Sequence, residues 1–80
     1  MNERQVEVLN LGKDHRRGLI TDDEFLFRVK GIYIRYAQAQ ANEEQQEVWD
    51  SAVWNAEQGV GFDRNFMTMQ LLNMLNSKKE

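Results

Sequence analysis

The chain has 80 residues with ten Lys plus Arg against thirteen Asp plus Glu, which predicts one small, mildly acidic domain over residues 1–80 and leaves no room for a second. The absence of Cys excludes disulfides and thiolate metal sites, and a single histidine, His15, has no partner for a two-histidine zinc site, so no enzyme, cofactor or metal is expected. A net charge of −3 has the wrong sign for general nucleic-acid affinity, and the short apolar runs hold no membrane span or signal-peptide core, so a soluble cytoplasmic protein is expected.

The hydrophobic fraction of 41% favours a folded chain although the mean hydropathy is −0.71. At this size folding buries only roughly 60% of the unfolded surface, so oligomerisation or partner binding is a physical expectation. No proline occurs and glycine stands at only five positions, which favours long helices with short joints. A first helix is expected over residues 3–17, with Arg16 and Arg17 at its negative end and Gly18 as the stop. Thr21 and Glu24, three apart, form a capping-box pattern that starts a second helix at Asp22, with Ile20 and Phe25 at staple positions. Residues 38–46 are polar enough to be either a joint or a continuation of that helix. Asn42 and Gln45 open a third helix over residues 43–58, stopped by Gly59. Asp63 caps a fourth over residues 64–77, with Phe62 and Met67 at staple spacing and Lys78 and Lys79 beyond its end. The expected fold is therefore all-α, a small bundle of three or four helices with short capped joints.

Several helices carry apolar residues on more than one side. In the second, Phe25, Val29, Ile32, Tyr33 and Tyr36 fall on one face at about 100° per residue, while Phe27 and Ile34 lie together on the opposite one. In the third, Val48, Trp49, Ala52, Val53 and Ala56 share a face from which Trp54 points away. In the fourth, Met67, Leu71, Met74 and Leu75 form the main stripe and leave Phe66, Met69 and Leu72 on other sides. Two explanations stand open. Either the second helix is central in the bundle and Phe27 and Ile34 are core, or the off-face residues form an association patch with Trp54 as its anchor.

The stretch Leu11-Gly12-Lys13-Asp14-His15-Arg16-Arg17-Gly18-Leu19-Ile20-Thr21-Asp22-Asp23-Glu24-Phe25-Leu26-Phe27-Arg28-Val29-Lys30 resembles the short C-terminal domain (SHOCT) family. That pattern is a short helix, Gly-hydrophobic-Ile-Thr, acidic positions, Glu-Phe and a second helix with a Lys. Phe27 stands where the pattern is polar. The resemblance implies a helical hairpin that serves oligomerisation or protein interaction and has no catalytic residues. In general style the chain is also similar to the small helical accessory proteins that phages make to bind host or virion components.

Charge is unevenly divided. Residues 1–40 hold seven basic and six acidic side chains, residues 41–80 three basic and seven acidic, and between Asn42 and Asp63 every charge is negative. Glu43, Glu44 and Glu47 thus head either a solvated helix face or a docking surface for a basic partner, another copy included. Carboxylate pairs such as Glu43 with Glu47 stand one turn apart, which is ordinarily a solvated arrangement. His15, near a helix end, reads as a partner of the negative helix terminus.

The function these features point to is a non-enzymatic protein–protein interaction module that self-associates, binding through Trp54, Phe27, Ile34, Met69 and Leu72, with the acidic Glu43, Glu44 and Glu47 and the basic first half setting orientation. One rival is a small helix-turn-helix-type DNA-binding regulator using Arg16, Arg17, Arg28, Lys30 and Arg35. Against it, the second helix opens with three acidic residues that would meet phosphate head on. A second rival is a phage-type structural or host-factor-binding protein.

Overall fold

The computed structural model describes residues 2–76, and within them the chain is all-α with no strand. Helix α1 spans Glu3–Arg16, α2 Asp22–Ile32, α3 Glu43–Gln58 and α4 Arg64–Asn76, and a π-helical turn at Tyr33–Ala37 extends α2. The expected end of the fourth helix at Ser77, with Lys78 and Lys79, lies outside the described residues.

Local chemistry sets these limits. Asn2 and Gln5 form a reciprocal capping box on α1, with Gln5 N donating to Asn2 Oδ1 at 2.9 Å and Asn2 N to Gln5 Oε1 at 3.0 Å. Gly18 follows α1 at φ 79°, and the amide of Leu19 reaches back to the carbonyl of Asp14 at 2.9 Å, closing the helix end in the left-handed geometry that glycine adopts without strain. Thr21 Oγ1 accepts from Glu24 N at 3.1 Å, but the expected box is only half made: the Glu24 carboxylate accepts from Arg28 Nε at 2.7 Å, one turn further on. Asn42 and Gln45 complete theirs, and Asp63 Oδ1 accepts from Phe66 N at the start of α4.

Residues 38–42 prove to be a joint. What precedes them is a π turn, in which Gln38 N donates to Tyr33 O at 2.7 Å, five residues back. The wider turn rotates each residue through less than the α-helical 100°. Ala37, which a continued α-helix would carry to the margin of the buried face, is brought back into the core at 0% exposure.

Thirteen described residues form the central apolar cluster, drawn from all four helices and the π turn. Helix α4 is the hub, packing against α1, α3 and the π turn, while α2 packs on α1 and α3. Phe25, Val8, Val29, Met67, Leu71 and Met74 are fully enclosed. Gly12, buried in α1, faces α4: a methyl at that position would stand 3.5 Å from Thr68 Oγ1, an ordinary van der Waals contact, so the approach of the two helices does not depend on glycine. Gln5, the one described polar residue in the interior, donates Nε2 to Leu72 O at 3.3 Å and so joins α1 to α4.

Tyr33 stacks on Trp49 with ring centroids 5.1 Å apart and planes at 18°, fixing the π turn against α3. Burial first, and the negative charge of Asp50 second, hold the Tyr33 hydroxyl above its ordinary value of 10.0. The unfolded chain therefore loses this proton before the folded protein does. The contribution of Tyr33 to stability is complete below pH 10 and declines as pH rises from there through the folded value. Urea midpoints measured from pH 8 to pH 11.5 are expected to fall above pH 10, and Tyr33→Phe, which keeps the stacked ring, is expected to flatten that fall.

Candidate functional site: the exposed apolar surface

The second helix is not central in the bundle, and its off-face residues are not core. Because α4 takes the central position, α2 has neighbours on one side only, and Phe27 is left 76% exposed and Ile34 64%. The reverse holds for Leu72. Being on the hub helix, it is half-buried and packs against the core rather than pointing away. Met69 and Trp54 do face outward, at 55% and 59% exposure.

Phe27 and Ile34, seven residues apart, are brought together with Val6 of α1 in one open groove of about 910 Å³ between α1 and α2. Between the two side chains on the same helix face stands Gly31. The nearest atom to a methyl placed there would be Nη1 of Arg35, at 4.0 Å. The groove floor is thus bare backbone with a guanidinium over it. Val6 was not singled out from the sequence, although one signal existed: two residues from the buried Val8, it cannot share that residue's face of α1.

Four cations line this groove, and three are committed. Arg28 Nε lies 2.7 Å from Glu24 Oε2, Lys30 Nζ 2.6 Å from Glu57 Oε2 across to α3, and Arg4 Nη1 3.8 Å from Glu3 Oε1 with its guanidinium 3.8 Å from the centre of the Tyr36 ring. Arg35, the fourth, has no ion pair among the described residues.

On α3, Glu43, Glu44 and Glu47 are all exposed. Glu47 and Asp50 precede Trp54 by seven and four residues and so lie along its side of the helix, with Glu57 one turn beyond. Trp54 is therefore set in an acidic strip. It lines neither the α1–α2 groove nor a second, smaller one of about 600 Å³ between α3 and the start of α4, where Glu47 and the partly exposed Phe66 sit. Phe27 and Ile34 form one site, and Trp54 marks another.

His15 belongs to neither. Its ring is wedged between Phe25 and Phe62, with centroids 5.1 and 5.2 Å away. Arg64 Nη1 lies 3.3 Å from Nδ1, and a guanidinium can only donate, so Nε2 carries the proton it gives to Asp22 Oδ1 at 2.5 Å. Beyond its place in the last turn of α1, this histidine ties that turn to the first turns of α2 and α4. Among the described residues no three His, Asp or Glu side chains converge as a metal-holding group, and no helix is long and apolar enough to cross a membrane.

Across the described residues, fold and surface define a small protein of four α-helices with large apolar side chains exposed on α2, its π extension, α3 and α4. Compared with protein-family models, curated proteins and solved structures, the chain matches none.

Proposed function

We propose that this chain is a non-enzymatic protein–protein interaction module that self-associates through its exposed apolar side chains. The observation that carries the reading is the placement of Phe27, Ile34 and Val6 in a single solvent-open groove, since exposed apolar residues that cluster rather than scatter mark binding surfaces. The stretch over residues 11–30 that resembles the SHOCT pattern supplies Phe27 to the groove, at a position where that pattern is polar, while Val6 and Ile34 lie outside the stretch. A small core without disulfides adds the second support: a partner surface adds burial to a domain of 80 residues whose own core leaves it marginal. Duplex DNA is not the partner on this reading, because the exposed Asp22 and Asp23 head α2 where phosphate would sit.

Sedimentation equilibrium over a wide concentration range tests the proposal. The average mass of the native chain is expected to rise with concentration. Phe27→Asp is expected to hold the mass near 9.5 kDa while leaving helicity unchanged, since a residue this exposed contributes within about 0.5 kcal/mol to folding. A native chain that stays monomeric throughout overturns self-association.

A further inference from the structure

We infer that the occupant of the α1–α2 groove is the Trp54 face of α3 from a second copy, docked head to tail. The inference rests on the self-association proposed above and adds which surface meets which.

Phe27, Gly31 and Ile34 succeed one another at four and three residues along one face of α2 and its π extension. The stripe is apolar at both ends and bare backbone in the middle, a slot with the Arg35 guanidinium beside it. Glycine inside a helix costs about 1 kcal/mol relative to alanine, and no packing demand accounts for it here: a methyl at Gly31 would meet nothing nearer than 4.0 Å. The slot is where that missing side chain has a use. Arg35 stands at its edge with no carboxylate among the described residues.

The complement is on α3. Trp54 is 59% exposed and large enough to fill the slot, and Asp50, one turn before it, makes no ion pair among the described residues. With the indole between Phe27 and Ile34, the unpaired carboxylate meets the unpaired guanidinium, and the indole face is also open to Arg35. Glu7 and Asp14 on the α1 wall repel an acidic helix, which seats it against the α2 wall. In the head-to-tail arrangement each contact leaves one slot and one tryptophan free, unlike a two-fold dimer in which both would be filled at once. The assembly continues past two copies, as a ring or a filament.

Two variants separate this pairing from others. Gly31→Leu fills the slot, and Trp54→Ala removes its occupant; circular dichroism establishes that each remains helical. Alone, each is expected to associate at least about thirtyfold more weakly than the native chain. Mixed in equal amounts, they are expected to form a one-to-one dimer in sedimentation velocity that grows no further, because the intact slot of one takes the intact tryptophan of the other. A Trp54→Ala chain that associates like the native one overturns the pairing in favour of groove-to-groove contact and leaves self-association standing. A mixture that stays monomeric also overturns it. A native chain that never associates overturns both readings.

Discussion

Trp49→Ala is expected to destabilise the protein by about 3–5 kcal/mol, the range for truncating a large enclosed aromatic. For a chain of 80 residues the whole folding free energy is roughly 4–12 kcal/mol, so the variant is expected to be partly or wholly unfolded at 37 °C. Trp49 is 2% exposed and stacks on Tyr33, which is itself 5% exposed. Its removal therefore leaves a void and frees the π turn from α3 at the same time. Trp54→Ala supplies the control on the same helix. At 59% exposure it is expected to shift the urea midpoint by no more than about 0.5 kcal/mol. Equal losses from the two substitutions would contradict the division of α3 into an inward and an outward face.

The second large effect is expected at His15. His15→Ala is expected to lower stability by about 2–3 kcal/mol, from the void between Phe25 and Phe62 together with a half-buried Arg64 left without its acceptor. The contact with Asp22 adds little, since that carboxylate is 68% exposed and returns to water. His15→Phe keeps the aromatic packing and loses the polar contacts, so its urea midpoint is expected between those of the native chain and His15→Ala. If the two variants lose equally, the polar contacts dominate. If His15→Phe loses nothing, packing carries the whole effect.

The helix limits were largely legible because caps and glycine stops are local chemistry: Thr21, Asn42, Asp63, Gly18 and Gly59 each act within a few residues of their own position. Asn2 and Gln5 follow the same grammar and passed unread. The π turn was not legible, since residues 33–41 carry neither Gly nor Pro and the widening serves to keep Ala37 in contact with a distant surface. Whether Phe27 and Ile34 were core or surface depended on which helix took the centre, and helical periodicity does not rank one apolar helix above another. The same question decided Leu72. On an outer helix its position would have been exposed, and on α4 it is half-buried against the core. Two of the three committed cations, Arg28 with Glu24 and Lys30 with Glu57, differ in the same way: the first pair is one turn apart and readable, whereas the second joins residues 27 apart. The isolation of Arg35 is visible only once both pairs are in place.

The packing of α1 against α4 has a consequence for the order in which the fold is acquired. Val8 and Leu11 of the first helix are enclosed together with Met67, Leu71 and Met74 of the fourth, and Gln5 donates to a carbonyl 67 residues away. During synthesis the first helix has only the second to rest on until the last has been made. The α1–α2 hairpin, with its groove, forms from neighbouring sequence, but the core beneath it closes in a late, long-range step that brings both sides of the interior together. Acquisition is therefore expected to be all-or-none, with no stable three-helix stage before α4 arrives.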